Sequence, residues 1–143
     1  MLDPGERVRG LVHRYADAVC RRDGEQWAAC WADDGTWSLD AERHVEGKAA
    51  IVALWTREMD SYLAVVQLVA SGLATAGADT GTGRWYVQEY NRRADGTPTM
   101  LVAYYDDWYR RAGDDWLFTR RRLTRLYQGP PDLSGHFDNT RSL

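Results

Sequence analysis

The chain has 143 residues, a formal net charge of −3 and 44% hydrophobic residues, which fits one domain with a core of its own over residues 1–143. Seven Trp and eight Tyr residues argue against a disordered chain. The acidic balance excludes the broad basic surface of a nucleic-acid-binding protein, and no stretch reaches the ~18 uncharged apolar residues of a membrane span.

The first predicted element is a helix over residues 3–22. Asp3 can accept a hydrogen bond from the first turn, and Pro4 suits the first helical position. The apolar residues that follow recur at helical spacing and form one stripe, at Val8, Leu11, Val12, Tyr15 and Val19.

Two further helices and a short strand are predicted next. The second helix follows residues 23–24, runs through Trp31 and ends at the acidic turn of residues 33–35. Residues 36–39 have the character of a short strand, and a third helix starts at residues 46–48.

The second half of the chain changes period and predicts strands. Turn signals occur at residues 77–79, 95–98 and 113–114. They separate four predicted strands, over residues 63–75, 80–91, 99–110 and 116–127. The remaining segment, residues 128–143, predicts an irregular tail.

Helices followed by hairpin-linked strands are typical of an α+β fold, with the helices on one face of an antiparallel sheet. The sheet must curve into a cone to cover three helices. We expect a cavity between its concave face and the helices, where a small molecule can bind.

The chain carries no signature of a metal or a cofactor. Two cysteines and three histidines provide neither a disulfide framework nor a four-ligand zinc pattern, and no glycine-rich phosphate loop is present. The first residues contain no apolar run typical of a secretory signal, so we expect a cytoplasmic protein. Its function must therefore depend on the pocket.

Several ordered motifs between residues 6 and 127 resemble the SnoaL-like branch of the nuclear transport factor 2-like (cystatin-like) superfamily. This superfamily includes ketosteroid isomerases and scytalone dehydratases. The matching motifs are Tyr15-Ala16-Asp17-Ala18, Arg22-Asp23, Trp31-Ala32-Asp33-Asp34-Gly35-Thr36-Trp37, Gly83-Arg84-Trp85-Tyr86, Tyr105-Asp106-Asp107, Trp116 and Arg121. The resemblance implies a cone-shaped fold, but this fold hosts many activities.

The dehydratases of this family use a tyrosine, an aspartate and a histidine in the cone. The resemblance places their tyrosine at Tyr15, their aspartate at Cys20 and their histidine at Val66. A shift of one residue would place Gln67 at the histidine position instead. In either register the aspartate–histidine pair is replaced by residues that do not serve as an acid/base pair. The base of the ketosteroid isomerases aligns with Leu39.

Other polar residues are predicted inside the cone. By resemblance to bile-acid dehydratases, Glu89 and Arg125 occupy a pocket carboxylate and a pocket arginine position, and Asp107 aligns with a second acid of the ketosteroid isomerases. We predict catalytic roles for Glu89, Tyr15, Arg125 and Asp107. The predicted substrate-binding residues are Cys20, Trp37, Leu39, Trp55, Val66, Gln67, Trp85 and Tyr105. Such an aromatic cavity suits a flat or multi-ring apolar ligand with one or two oxygens.

Each of these residues also has a purely structural interpretation. Tyr15 can be a core tyrosine, and the tryptophans can be core residues. Glu89 can lie at a strand end and pair with a neighbouring arginine. Asp107 can form a structural bridge with Arg121, because a buried carboxylate is costly unless it is paired.

Three hypotheses about function follow. The first is a cofactor-independent lyase, isomerase or cyclase acting on a hydrophobic, cyclic substrate in bacterial metabolism, with Glu89 as general acid/base. The second is a non-catalytic ligand-binding or scaffold protein, favoured by Cys20 and Val66 at the dyad positions. The third is the small subunit of an oxygenase-type assembly.

The outer face of the predicted sheet is too apolar to be left in water. Alternation along the strands places on this face Tyr86, Gln88, Val102, Tyr104 and Trp108. We therefore expect a homodimer formed through the outer sheet face.

Overall fold

A curved seven-stranded sheet holds the helices against its concave face in the computed structural model, which describes residues 3–142. The helices are α1 (Pro4–Arg21), α2 (Gly24–Ala28) and α3 (Lys48–Asp60). The strands are β1 (Trp31–Ser38), β2 (His44–Glu46), β3 (Tyr62–Ala76), β4 (Thr80–Arg93), β5 (Pro98–Ala112), β6 (Asp115–Gly129) and β7 (His136–Phe137). The predicted α+β class and its cone-shaped, curved sheet are confirmed.

Helix α1 forms where its sequence predicts it. The Asp3 carboxylate accepts a hydrogen bond from the backbone N–H of Glu6 at 2.9 Å, and Arg22 ends the helix with φ 54°. The predicted apolar stripe is buried along its whole length.

The sheet is mixed, whereas the sequence predicts an antiparallel one. The strand order is β2-β1-β6-β5-β4-β3, with β7 added beside β6. Strand β1 pairs with β6 in parallel, from Trp31 opposite Phe118 to Ser38 opposite Arg122. These two strands are far apart in the chain, so no hairpin turn imposes an antiparallel direction on them.

The predicted second helix is too long. Helix α2 ends at Ala28, and Trp31 starts β1 instead of continuing the helix. The pairing with β6 explains the difference, because the backbone N–H of Phe118 donates to the carbonyl of Cys30 at 2.9 Å. Tertiary pairing outweighs the local helical pattern here.

The polar loop and the tail also contain strand that the sequence does not predict. His44–Glu46 pairs with the end of β1 as β2. Strand β6 continues to Gly129, and His136–Phe137 pairs with it as β7, so the tail is only partly irregular. The Tyr127 hydroxyl holds this tail, because it accepts from the N–H of Gly135 at 2.9 Å.

Aromatic side chains from the helices and from β1 fill the core between α1, α2 and the sheet. Trp27 is fully buried and stacks on Trp55 with ring centroids 4.8 Å apart. Tyr15 contacts Trp27, Trp31 and Phe118 at centroid distances of 5.3, 6.4 and 5.5 Å. This cluster anchors the helices that form one wall of the pocket described below.

The outer face of the sheet carries exposed apolar side chains, but of the five residues predicted for it only Tyr86 is exposed, and the other four are half-buried: Gln88, Val102, Tyr104 and Trp108. The most exposed apolar side chains on β3 and β4 are Leu63, Val66, Leu68, Leu73, Tyr86 and Tyr90. Pairing of two copies through this face stays a prediction. Within residues 3–142, no helix has the length and apolar character that crossing a membrane requires.

Replacing Gly72 by alanine is expected to destabilise the sheet by about 1–3 kcal/mol, because an added methyl group overpacks the core. A Cβ atom at this position would collide with the ring of Trp85 and would lie 2.6 Å from the carbonyl oxygen of Arg84. Gly77→Ala is the matched control, since its nearest neighbour would be 3.9 Å away. Chemical denaturation measures both free energies of unfolding, and equal values for the two variants would contradict the packing argument.

Candidate functional site

A pocket of about 120 Å³ lies between helices α1 and α3 and the concave face of strands β3 to β6. Its apolar wall consists of Val19, Trp37, Leu39, Trp55, Met59, Leu101 and Leu123. Its polar wall consists of Tyr15, Arg43, Glu58, Tyr62, Gln67, Glu89, Asn91, Arg93, Tyr105, Arg125 and Gln128. A cavity of ~150 Å³ in another protein holds benzene, so this volume fits one ring better than several.

Glu89 is one of the two carboxyl groups that line the pocket. Gln67 lies opposite it on β3, and its Nε2 donates to Glu89 Oε1 at 3.3 Å. Asn91 Nδ2 donates to the other oxygen, Oε2, at 3.4 Å. Neither partner carries a charge that could hold Glu89 ionised.

Burial in this wall raises the pKa of Glu89 above its ordinary value, although the two amide hydrogen bonds act in the opposite direction. Glu58 on α3 adds a smaller repulsion that also raises this pKa, and Arg93 lowers it. A carboxyl group whose pKa is raised towards neutrality can both accept and return a proton.

Two phenols line the deep end of the pocket. The hydroxyl oxygens of Tyr15 and Tyr105 are 3.4 Å apart. Burial raises the pKa of both tyrosines, so both stay protonated and can donate hydrogen bonds. The guanidinium of Arg121 lies 4.3 Å from the centre of the Tyr15 ring and 3.8 Å from that of Tyr105.

Most of the predicted site residues come together in this pocket. Glu89, Tyr15 and Arg125 line it, and Arg125 Nη1 donates to Gln128 Oε1 at 2.8 Å. Five of the predicted substrate-binding residues line it as well: Trp37, Leu39, Trp55, Gln67 and Tyr105. Their chemical roles stay predictions.

Cys20, Val66 and Trp85 do not line the pocket. Cys20 is exposed, and its thiol exchanges hydrogen bonds with the backbone of Gln67. Val66 is 44% exposed, because strand alternation turns it to the outer face and turns Gln67 inwards. Trp85 is buried in the core, where its indole N–H donates to the Tyr109 hydroxyl at 2.9 Å.

Asp107, which the sequence predicts as a catalytic residue inside the cone, is buried and is not among the residues that line the pocket. Its carboxylate accepts from Arg121 Nε at 2.8 Å and Nη2 at 3.3 Å, and from the Tyr109 hydroxyl at 2.7 Å. The alternative, a structural bridge with Arg121, is confirmed. Tyr105 of the same strand face lines the pocket, whereas Asp107, two residues further along β5, does not.

Sequence reasoning missed Asn91 and Arg93 as lining residues. Both continue the alternation of β4 that places Glu89 inside, so the pattern could have identified them. It also missed Glu58 of α3 and the pair it forms with Arg43 at 3.0 Å, which depends on how α3 docks. Within residues 3–142, no three His, Cys, Asp or Glu side chains cluster as a metal site would require.

A curved sheet that wraps around three helices and leaves a pocket between them is the architecture of the cystatin-like fold. The family model of the SnoaL-like domain matches residues 2–122, and the chain therefore belongs to the SnoaL-like family. No curated protein matches the chain.

Several solved structures share this fold. A candidate scytalone dehydratase from Novosphingobium aromaticivorans superposes with a TM-score of 0.83 and 14% identity, over 96% of this chain and 94% of that one. The LinA-type3 hexachlorocyclohexane dehydrochlorinase of Novosphingobium barchaimii gives 0.80 and 17%, over 95% and 94%. A candidate aromatic ring hydroxylase from Novosphingobium aromaticivorans gives 0.80 and 24%, over 94% of each chain.

Proposed function

We propose that this protein is a cofactor-independent lyase or isomerase that acts on a one-ring, oxygenated substrate, with Glu89 as its general acid/base. The observation that carries the proposal is the position of Glu89. It is a carboxyl group with a raised pKa that lines the same pocket as two protonated phenols.

The chemistry that this arrangement supports begins with removal of a proton next to a substrate carbonyl by the Glu89 carboxylate. The electron pair of the broken C–H bond moves to the carbonyl oxygen and forms an enolate. A hydrogen bond from the hydroxyl of Tyr15 or Tyr105 stabilises that oxygen as its charge develops.

Two outcomes then follow from the same intermediate. If Glu89 returns the proton to a different carbon, the reaction is an isomerisation. If the enolate expels a hydroxyl group from the next carbon, Glu89 protonates the departing oxygen and the reaction is a dehydration that releases water. Dehydratase and dehydrochlorinase, the activities named for two structural neighbours, are both eliminations.

A binding protein without turnover is the second candidate. The observation in its favour is the absence of an acid/base dyad, because the dyad positions hold Cys20 and either Val66 or Gln67. Among the described residues that line the pocket, none is a histidine. In this alternative Glu89 and its two amides only bind a ligand.

The deciding experiment is a product search by mass spectrometry with a panel of one-ring ketones and hydroxyketones. The wild type is expected to isomerise or dehydrate at least one of them, and Glu89→Gln serves as the matched inactive control. Saturable binding of panel members with no product from any of them would support the binding protein and contradict the enzyme.

A further inference from the structure

The arginines of the pocket lining differ in how they are paired. Arg43 forms salt bridges with two carboxylates, Glu58 at 3.0 Å and Asp40 at 2.7 Å, so it offers no free charge to a ligand. Arg93 and Arg125 also line the pocket, but no carboxylate oxygen of residues 3–142 lies within 4.0 Å of either guanidinium. Two cationic groups therefore line the pocket without a salt bridge to a described carboxylate, although Arg93 is close enough to Glu89 to lower its pKa.

The hydrogen bonds of these two arginines leave donors free. Arg125 donates from Nη1 to Gln128 Oε1 at 2.8 Å, which fixes one side of its guanidinium. The guanidinium carbon of Arg93 lies 5.8 Å from the centre of the Tyr62 ring. Each planar guanidinium retains N–H groups that can pair with a planar anion.

The two arginines come from strands on either side of β5. Arg93 ends β4 on the same face as Glu89 and Asn91, while Arg125 lies on β6 opposite Ala103 of β5. Both side chains are half-buried, so their charges are only partly screened by water. A ligand that reaches the polar wall therefore lies near a positive charge on each side of β5.

We propose that the occupant of this pocket is a one-ring carboxylic acid, bound as its anion. Its carboxylate pairs with the guanidinium group of Arg93 or of Arg125, and its ring enters the apolar wall formed by Trp37, Leu39 and Trp55. This ligand class rests on the proposed function in one respect: the carboxylate orients a substrate only if the pocket is an active site.

A monoanion matches this pocket better than a dianion. Three arginines, Arg43, Arg93 and Arg125, line the pocket against two glutamates, Glu58 and Glu89, so the lining carries one arginine in excess of its own carboxyl groups. The volume of about 120 Å³ leaves room for one ring and a small polar group. A carboxylate also matches the fork of a guanidinium in a way that a neutral amide does not.

Benzoate and benzamide are matched probes, because they have the same ring and nearly the same shape but differ in charge. Titration calorimetry at pH 7 and low salt is expected to show benzoate binding about tenfold or more tightly than benzamide. Replacing whichever of the two arginines holds the carboxylate, by Arg93→Gln or by Arg125→Gln, is expected to weaken benzoate binding about tenfold and to leave benzamide binding unchanged.

Arg120→Gln is the control variant. Its guanidinium lies 4.8 Å from the centre of the Trp108 ring, outside the pocket lining, so benzoate affinity should not change. The proposal is overturned if folded wild type shows no saturable benzoate binding, or if benzamide binds equally well. It is also overturned if neither arginine variant weakens benzoate binding.

The same titration separates this inference from the proposed function. Glu89→Gln removes a negative charge near the ligand, so benzoate should bind this variant at least as tightly as it binds the wild type. An enzyme assay that finds no product would end the catalytic proposal and leave this preference for anions standing. Conversely, turnover of neutral ketones without any preference for benzoate would end only the carboxylate proposal.

Discussion

Glu89→Gln is expected to lower kcat by roughly 10²–10⁴-fold on whichever substrate the product search identifies, which is the usual contribution of a general acid/base. Glutamine keeps the shape of the side chain and can still hydrogen-bond to Gln67 and Asn91, but it cannot carry the transferred proton. The effect should appear in kcat with little change in KM, measured by initial rates.

The matched control for this prediction is Glu46→Gln, which removes a carboxylate whose side chain is 78% exposed. It should leave kcat unchanged. Rates of Glu89→Gln within a factor of two of the wild type would end the assignment of Glu89 as the proton carrier.

The raised pKa of Glu89 has a consequence for stability that can be measured on the same variant. Glu89 binds its proton more tightly in the folded protein than in the unfolded chain, where the pKa of a glutamate is about 4.3. Ionised Glu89 therefore costs stability increasingly as the pH rises from that value through the folded pKa. Thermal unfolding at pH 8 should show Glu89→Gln at least as stable as the wild type, which confirms that lost activity does not reflect lost folding.

Asp107→Ala is expected to destabilise the fold by about 3–5 kcal/mol, the usual cost of leaving one charge of a buried pair without its partner. The side chains of Arg121 and Asp107 are 1% and 0% exposed, so water cannot replace the lost carboxylate. Arg121 also packs against the rings of Tyr15, Tyr105 and Phe118, and the free cation would disturb the floor of the pocket.

Asp34→Ala is the control for this measurement. Asp34 pairs with Arg110 at 2.8 Å, but both side chains are exposed, so its loss should cost less than about 1 kcal/mol. If Asp107→Ala does not fold, the double variant Asp107→Leu with Arg121→Met should recover a folded protein, because it removes both charges together. A urea-unfolding free energy of Asp107→Ala equal to that of Asp34→Ala would contradict the buried pair.

The comparison of Glu89 with Asp107 shows where prediction of the site from sequence ends. Both acids lie on faces that strand alternation and family resemblance assign to the inside of the cone. The structure leaves Glu89 in the pocket and buries Asp107 against Arg121. Alternation tells which side of a sheet a residue faces, but the curvature of the sheet and the docking of α1 decide which inward residues remain uncovered.

A similar distinction applies to Val66 and Gln67. A shift of one residue exchanges the two faces of a strand, so an alignment uncertain by one position could not choose between them. The register of β3 against β4 places Gln67 opposite Glu89, and Gln67 lines the pocket whereas Val66 does not.

The order of local signals along the chain was enough to determine helix α1, the long hairpins and the α+β cone, because caps, turns and periodicity act between residues close in sequence. Contacts between distant segments decided the length of α2, the parallel pairing of β1 with β6 and the strand in the tail. The same contacts decided that Arg93 and Arg125 line the pocket without a salt bridge. Those contacts depend on how a curved sheet closes over its helices, which no local pattern encodes.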